Sequence, residues 1–337
     1  MSVALLAVDG GATKTDLALV DSDGALLALQ RGPLSSPHYL GVDGSLDVLA
    51  KLLERAATDA GLPTDDGPVT ELGQLLIAGV DLPSEVENFH AAVGARGWST
   101  RTIVDNDTFA ILRAGTAQGW GVAVVCGTGI NCVGIAPDGR HARFPALGTI
   151  TGDWGGGYDV GAAAVSAAAR SEDGRGDKTT LERAVPSYFG LTTPMELAEA
   201  IHHDRIAHRR IGELPPVVFA EAPRDDVAAS IVQRLADEVV ALARVALQRL
   251  DLTHEPVEVL LGGGLLRGNG TLEAAIESGL REVGDAITVR NTESPPIVGA
   301  ALLGLDELGS GAEAQERVRL ELDAAVAALE PGEPADG

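Results

Sequence analysis

Aromatic and basic residues are both scarce in this sequence, and each scarcity limits what the protein can do. Aromatics make up 3% of the residues, so Ala, Val and Leu must fill the core. There are 25 basic residues against 49 acidic ones, which gives a net charge of -24. A surface this acidic repels nucleic acid phosphates and anionic lipid headgroups, so we expect neither nucleic acid nor membrane as a partner.

Cysteine is also rare, and the chain has no long apolar run. Cys126 and Cys132 are the only cysteines, and their spacing suggests neither a disulfide framework nor a metal site. The N-terminal segment lacks the charged region and cleavage site of a secretory signal, and no apolar stretch reaches membrane-spanning length. These features predict a cytoplasmic protein.

The common nucleotide-binding fingerprints are missing as well. No G-x-x-x-x-G-K-[ST] loop is present, and no G-x-G-x-x-G follows the first predicted strand, which disfavours P-loop and dinucleotide-binding folds. The chain instead contains 42 glycines, many of them at the ends of apolar runs. With 337 residues, it is long enough that two domains are expected.

A supersecondary pattern occurs twice in the chain. In both copies a strand, a glycine turn, a second strand and an Asp-Gly turn follow one another, with strands predicted at 3–8, 15–20 and 25–29 and again at 121–126 and 131–136. Repetition of a whole unit indicates duplication. It predicts an α/β fold of two related lobes, each presenting a hairpin toward a shared cleft.

Other elements follow from apolar periodicity. We predict helices at 45–60, 84–94, from 107 or 108 to 117, 225–250, from 271, 294–305 and 312–329, and strands at 75–80, 102–105 and 257–261. Residues 331–334 are predicted to form a frayed tail.

The first glycine turn, DGGATKT at 9–15, has the composition of an anion site. Glycines let the backbone bend so that N–H groups and hydroxyls face a phosphate. Asp9 ends a predicted buried strand, where it can hold Mg²⁺. The expected phosphate-binding residues are Gly10, Gly11, Thr13, Lys14 and Thr15. An ordinary hairpin explains this turn equally well when it is taken alone.

Two further glycine clusters follow predicted strands. The turn Gly127-Thr128-Gly129 repeats the first turn at the matching position of the second copy. The run Gly262-Gly263-Gly264 closes the strand predicted at 257–261, where backbone can approach a flat adenine or a ribose.

Two acids at a predicted strand end are candidates for a general base. Asp105 and Asp107 would point the same way if the strand continued through both. Asp107 also begins a predicted helix, so an N-cap role is the alternative. The residues alone leave this choice open.

A glycine-rich loop at 148–157 contains a single acid, Asp153, and a single aromatic, Trp154. Such a loop suits a small ligand, with Asp153 accepting hydrogen bonds from paired sugar hydroxyls. His202, His203, Asp204 and His208 invite comparison with a metal site. Asp204 and His208 would share a helical face, but a solvated helix surface is the favoured interpretation.

Together these motifs resemble the BadF/BadG/BcrA/BcrD ATPase-like family and, within it, N-acetylglucosamine kinases with an actin-like fold. The likeness covers about residues 3–308. It implies ATP and Mg²⁺ as cofactors, a homodimer, and Asp107 rather than Asp105 as the base that activates a sugar hydroxyl. It implies phosphate contacts at 9–15 and 127–129, and adenosine contacts at 262–264. The implied sugar contacts are Asp107, Thr128, Gly129, Asn131, Gly148, Asp153 and His38.

The chain departs from the family pattern at two places. Pro37 stands where the family's sugar kinases often have Asn, and the sugar loop reads Asp-Trp-Gly-Gly instead of Asp-Glu-Gly-Ser. Both departures bear on the choice of sugar.

The resemblance therefore predicts an ATP-dependent kinase that phosphorylates the C6 hydroxyl of N-acetylglucosamine, with glucosamine or another hexose as alternative substrates. A radical-reductase activator or a non-catalytic sugar sensor is the alternative function. The expected domains are an N-terminal lobe at 1–115, joined by a helix at about 295–308, a C-terminal lobe at 116–294, and a final helix and tail at 309–337.

Overall fold

The computed structural model describes residues 3–62 and 67–329. The tail predicted at 331–334 lies outside this part. The chain divides into two compact units, Met1–Gly121 with Thr292–Gly337, and Val122–Asn291. Across the described ranges, no helix has both the length and the apolar composition needed to cross a membrane.

The strands, in chain order, are β1 (Val3–Gly10), β2 (Lys14–Asp21), β3 (Leu26–Pro33), β4 (Thr70–Ile77), β5 (Ser99–Asp105), β6 (Gly121–Cys126), β7 (Ile130–Ile135), β8 (His141–Arg143), β9 (Val257–Gly262) and β10 (Ile287–Asn291). The α-helices are α1 (Pro37–Asp59), α2 (Pro83–Arg96), α3 (Thr108–Gly115), α4 (Gly157–Asp173), α5 (Leu181–Tyr188), α6 (Pro194–His202), α7 (Pro215–Glu221), α8 (Asp226–Arg249), α9 (Gly270–Val283), α10 (Pro296–Glu307) and α11 (Ala312–Ala328).

The first unit is built on a five-stranded sheet with the order β3-β2-β1-β4-β5. Antiparallel pairing joins β1 to β2 and β2 to β3, whereas β4 runs parallel to both β1 and β5. The carboxyl ends of β1, β4 and β5 therefore lie along one edge of the sheet. This edge carries Asp9, Ile77 and Asp105.

Apolar residues pack on both faces of this sheet. One core cluster includes Leu6, Leu49 and Phe89, from β1, α1 and α2. Helix α10 packs on β1 and α3. Its backbone lies so close that a Cβ on Gly299 would stand 1.8 Å from the carbonyl oxygen of Ala110, so only glycine fits there.

The second unit repeats the strand order of the first. Its sheet runs β10-β9-β6-β7-β8, so β6, β7 and β8 correspond to β1, β2 and β3. Parallel pairing joins β9 to β6 and β10 to β9. The duplication predicted from the sequence is thus confirmed. The predicted amphipathic helix is also confirmed, because α8 buries Ile231, Leu235 and Val239.

Several elements differ from the prediction. Helix α1 begins at Pro37 instead of residue 45, with an interruption at Gly41, where φ is 68°. Strand β4 ends at Ile77, before the predicted end at Val80. The sequence patterns predicted no element in residues 157–224, which form α4 to α7 and two short 3₁₀ turns. A third 3₁₀ turn lies in the preceding loop, at Gly148–Ile150. The sequence patterns also missed β10, whose sequence ITVRN has only two apolar residues and no buried one.

Candidate active site

Asp9 is a buried carboxylate at the end of β1, where it stands opposite Asp16 of β2. Burial raises the pKa of Asp9 well above its usual range, and the charges of Asp107 and Asp16 raise it further, against smaller opposing effects of Lys14 and Arg31. A bound cation would relieve this repulsion, and Mg²⁺ prefers carboxylate oxygens. The donor chemistry around Asp9 therefore fits Mg²⁺.

The turn between β1 and β2 is held by close neighbours. The Gly11 N–H donates to the Lys14 carbonyl at 2.9 Å, and the Gly11 carbonyl accepts from the Ser35 N–H at 3.2 Å. A Cβ on Gly10 would lie 2.5 Å from the Ile77 side chain. Glycine at position 10 thus lets the turn pack directly against β4.

The other predicted phosphate-binding residues of this turn differ in exposure. Thr13 and Lys14 are exposed, whereas Thr15 is fully buried. The Thr15 hydroxyl donates to the Ser35 hydroxyl at 2.7 Å. Within the turn, Thr13 and Lys14 are therefore the side chains accessible to a ligand from solvent.

Asp16, on β2 just after the turn, forms ion pairs with two basic side chains. This fully buried carboxylate accepts from Arg31 Nε at 2.6 Å and Arg31 Nη2 at 2.9 Å, and its ion pair with Lys14 Nζ measures 3.0 Å. A bidentate Arg–carboxylate pair is among the stronger charge-assisted interactions. The sequence motifs did not indicate Asp16 or Arg31 as functional residues. The available signal was one acid inside the otherwise apolar strand at 15–20.

Asp107 immediately precedes α3. Burial raises the pKa of Asp107 to about 7, and the nearby charge of Asp81 contributes, while hydrogen bonds from the backbone of Asp107 and Thr108 lower it. The Asp107 side chain makes no capping hydrogen bond to the helix. Asp107 therefore occupies the N-cap position of α3 without a side-chain cap, and near neutral pH this carboxylate is partly ionised and able to accept a proton.

Asn106 takes the capping role instead. Its side-chain oxygen accepts from the Thr108 N–H at 3.0 Å, while its amide donates to Asp81 at 2.7 Å. Asp105 accepts from the Asn106 N–H at 2.8 Å. Because β5 ends at Asp105, as the sequence predicts, the strand does not continue through both acids, and the condition under which Asp105 and Asp107 would point the same way is not met.

His38 lies beside the Asp81 carboxylate. One potential ligand atom from each of His38, Asp81 and Glu85 falls within 4.8 Å of the others, and His38 Nε2 is 3.7 Å from Glu85 Oε1. The other Glu85 oxygen accepts from the N–H groups of Asp81 and Leu82, each at 2.9 Å. Through Asp81 and Asn106, this cluster connects to the residues around Asp107.

In the second unit, the glycine turn and the sugar loop pack against each other. The Gly127 N–H donates to the Gly129 carbonyl at 2.9 Å, and the Gly127 carbonyl accepts from the Gly157 N–H at 2.9 Å. A Cβ on Gly156 would stand 2.1 Å from the Thr128 carbonyl oxygen. The loop reaches this position only because residue 156 lacks a side chain. Thr128 and Gly129 are exposed, and Asn131 is half-buried.

The loop at 148–157 holds Asp153 in a defined turn. The Asp153 N–H donates to the Gly148 carbonyl at 2.9 Å, and the Thr151 hydroxyl donates to the Asp153 carboxylate. The Arg234 guanidinium lies 4.0 Å above the Trp154 ring. These contacts give the loop an ordered, half-buried acid rather than a fully solvated one.

The triple glycine lies against the end of β6. Gly263 has a φ of 89°, and a Cβ there would meet the Cys126 carbonyl oxygen at 2.1 Å. A pocket of about 670 Å³ begins at Gly264 and continues along Phe219 and Arg267. This volume lies within the range of small-molecule sites. The turn at 127–129, the loop at 148–157 and the run 262–264 are therefore neighbours in the second unit.

The histidine-containing segment at 202–208 and the two cysteines are the remaining groups that the sequence brings up as candidate ligands. Helix α6 ends at His202, and Asp204 lies in a turn with a φ of 55°, so Asp204 and His208 share no helical face and that prediction is wrong. His208 contacts the Tyr158 hydroxyl at 3.0 Å. Cys126 and Cys132 are buried free thiols, and burial raises the pKa of each.

Comparison with known proteins gives consistent results. Residues 6–304 match the BadF/BadG/BcrA/BcrD ATPase family. The chain is 26% identical to the N-acetyl-D-glucosamine kinase of Dictyostelium discoideum, over 89% of this chain and 97% of that protein. It is 28% identical to the N-acetylmuramic acid/N-acetylglucosamine kinase of Clostridium acetobutylicum, over 78% of this chain and 85% of that protein.

A similar solved structure is the proposed N-acetylglucosamine kinase from Chromobacterium violaceum. It superimposes with a TM-score of 0.72 at 27% identity, and the match covers 90% of this chain and 99% of that one.

Proposed function

Because this chain belongs to the BadF/BadG/BcrA/BcrD ATPase family, we propose that it is an ATP-dependent sugar kinase acting on N-acetylglucosamine. The proposed product is N-acetylglucosamine 6-phosphate. Both curated relatives described above are named for N-acetylglucosamine kinase activity, which supports this choice of substrate.

Asp107 is the proposed general base. It accepts the proton of the C6 hydroxyl while that oxygen forms a bond to the γ-phosphorus, and the bond from this phosphorus to the β-phosphate oxygen breaks to release ADP. Phosphoryl transfer depends mainly on alignment and on charge stabilisation. A carboxylate with a pKa of about 7 is well matched to proton transfer at neutral pH.

Asp9 is the proposed Mg²⁺ ligand, and the metal would supply positive charge to the phosphates when bound. Lys14 is the cation of the first turn, and its ammonium is held 3.0 Å from Asp16. That contact favours one side-chain position for a group proposed to stabilise phosphate charge. Gly10, Gly11, Thr13 and Thr15 complete the proposed turn, with Thr15 shaping it from within because its hydroxyl is buried.

The second unit is proposed to contribute recognition. Asp153, Thr128, Gly129, Asn131 and Gly148 would contact the sugar, together with Asp107 and His38 of the first unit. The turn at Gly127 and Thr128 would contact phosphate. Gly262, Gly263 and Gly264 would contact adenosine, beside the 670 Å³ pocket.

The observation that carries this proposal is the environment of Asp107. Asp107 follows the carboxyl end of β5, and its charge raises the pKa of the buried Asp9. Both residues lie in the region of the sequence that matches an ATPase family. The test is sugar-dependent ADP release across N-acetylglucosamine, glucosamine, N-acetylmannosamine, N-acetylmuramic acid and glucose. We expect the highest kcat/KM with N-acetylglucosamine. ADP release that no sugar stimulates would contradict the proposal.

Two alternatives make different predictions. A radical-reductase activator needs cysteines that can hold an iron–sulfur cluster between subunits, but both cysteines of this chain are buried. Iron bound after anaerobic purification would support that activator. A sugar sensor would bind N-acetylglucosamine without releasing ADP.

The proposal also includes Mg²⁺ as the required metal, a homodimer and a cytoplasmic location. Activity lost on chelation and restored by Mg²⁺ would support the first. Light scattering coupled to size exclusion would test the second.

A further inference from the structure

An arginine-rich pocket lies on the second unit, between α4 and α8. Its volume is about 600 Å³, within the range of small-molecule sites. Arg170 and Arg175 lie near the end of α4, and Arg234 lies on α8. Three arginines lining one pocket are unexpected in a protein of net charge -24.

Arg170 and Arg234 have N–H donors that make no hydrogen bond to the residues described. A guanidinium offers five N–H donors. Arg170 uses Nη2 to donate to the Arg175 carbonyl at 2.9 Å, and its other donors have no partner among the described residues. Arg234 makes no hydrogen bond or ion pair to the residues described, its guanidinium lies 4.0 Å from the Trp154 ring, and its charge acts on Glu238.

The third arginine and the acids nearby define the remaining charge. Arg175 is paired with Asp173, with Nη2 and Oδ2 2.7 Å apart. Asp177 lines the pocket. Glu238 lies one helical turn beyond Arg234; burial raises the pKa of this acid above its usual range, and the charge of Arg234 opposes that rise. The charge of Arg170 likewise acts on Asp173. Neither arginine forms an ion pair with these acids in the described part of the chain, so both guanidinium groups can still donate to an added anion.

The rest of the lining is small and partly apolar. It includes Ala163, Ala167, Val227 and Ile231, together with Gly176 and the polar residues Ser166 and Ser230. Inorganic phosphate alone would leave most of such a pocket empty. A small organic molecule that carries a phosphate group would match both the cations and the apolar wall.

We propose that this pocket binds a phosphate monoester of a small organic molecule, held by Arg170 and Arg234. Because Arg234 also stacks on Trp154, the ligand would act on the loop that contains Asp153. A hexosamine 6-phosphate belongs to this ligand class, and the choice of that ester as a probe rests on the proposed function. The pocket itself does not depend on catalysis.

Calorimetric titration of the full-length protein would test the site, with N-acetylglucosamine 6-phosphate and inorganic phosphate as separate probes. We expect the ester to bind more tightly, and its affinity to fall as salt concentration rises. Tryptophan emission should change on binding and should not change in Trp154→Phe.

Matched variants separate this pocket from the proposed sugar site. The double variant Arg170→Gln/Arg234→Gln should weaken ester binding at least about tenfold, since it removes two charged donors. Arg170→Lys should retain part of the affinity. Arg281→Gln, which removes an arginine paired with Glu277 on α9, is the control and should bind like the wild type.

Unchanged ester affinity in the double variant, with its thermal unfolding curve intact, would overturn the proposal. Loss of all ester binding in Asp153→Ala would also overturn it, because binding would then belong to the sugar site. If the double variant unfolds, the ester affinities of Arg170→Lys and of the control Arg281→Gln are compared instead, and equal affinities would overturn the proposal. Failure of the kinase assay with retained ester binding would affect only the proposed function.

Discussion

The two units share one strand order but differ in what they place at corresponding positions. In the first unit, β1 carries the buried acid Asp9 near its end, opposite Asp16 on the next strand. In the second unit, β6 ends in the buried thiol Cys126, whose pKa is raised by burial and further by Cys132 on the following strand. At these corresponding strand ends, the first unit thus places buried charge and the second a neutral thiol beside a glycine turn.

This difference indicates that the two units of a duplicated fold can have different functional roles. Burying a carboxylate lowers the stability of the fold unless cations or hydrogen bonds compensate the charge. Buried carboxylates with raised pKa values are therefore found mainly at functional sites. Neutral thiols at the equivalent place carry no such cost. We therefore expect substitutions in the first unit to change turnover, and substitutions in the loops of the second unit to change binding and stability.

The largest effect is expected from Asp107→Asn, which keeps the side-chain size and removes the proton acceptor. We expect kcat to fall roughly 10²-fold or more with little change in KM for the sugar. Steady-state kinetics with N-acetylglucosamine and ATP measure both values. Near-normal turnover would break the assignment of chemistry to the first unit.

Gly156→Ala should have the next largest effect. The added Cβ would meet the Thr128 carbonyl at 2.1 Å, so the sugar loop must move away from the turn. We expect a loss of about 2 kcal/mol in the free energy of unfolding and a higher KM for the sugar.

Gly94→Ala is the matched control for that substitution. Gly94 lies within α2, and an added Cβ would have nothing within 4 Å. This variant should be unchanged or stabilised by up to about 1 kcal/mol. Equal unfolding midpoints in denaturant for both glycine variants would contradict the packing argument.

A smaller effect concerns stability and pH. The Asp107 carboxyl has a pKa near 3.8 in a model peptide and about 7 in the folded protein, so the folded state keeps a proton that the unfolded chain loses between these values. Its contribution to stability is present below the lower pKa and is lost as the pH rises through the higher one.

Asp107→Asn should therefore unfold at a higher temperature than the wild type at pH 8. The expected gain is about 1–2 kcal/mol, less than the full pKa shift because the side chain is partly exposed. At pH 4 the two proteins should unfold at similar temperatures. Scanning calorimetry at both pH values provides the measurement, and a lower midpoint for the variant at pH 8 would count against a strained carboxylate.

The smallest effect is a shift in the pH profile. The charge of Asp81 raises the pKa of Asp107, so Asp81→Asn should lower that pKa. The acid limb of kcat/KM, near pH 7 in the wild type, should move down by about half a pH unit. Asp81 also accepts from Asn106, so kcat should fall somewhat as the base loses support. A limb that does not move would indicate another ionising group.

The strands and long helices were accessible from the sequence because their signals are local. Residues 3–8 form an unbroken apolar run, and α8 carries apolar residues at helical spacing. The helices between 157 and 224 gave no such signal to the pattern analysis. Their buried residues are spread over several short segments, for example Leu181, Val185 and Leu197, which become a core only when α4 to α8 pack together.

Predictions about the site divide in the same way. The glycine motifs and Asp107 could be named from local composition and from a family resemblance. Arg31 and Asp81 could not be identified in this way, because each acts through a partner that is distant in sequence. Arg31 reaches Asp16 from the neighbouring strand, and Asp81 reaches Asn106 from the end of an adjacent loop.

The sequence by itself determined the repeat, the positions of the glycine turns and the strong excess of negative charge. Each of these depends on residue type and spacing along the chain. Only the tertiary structure decided which carboxylates are buried and which are paired, and therefore where a pKa rises. Desolvation and Coulomb forces depend on neighbours in space, and β-sheet pairing brings together residues that the sequence keeps apart.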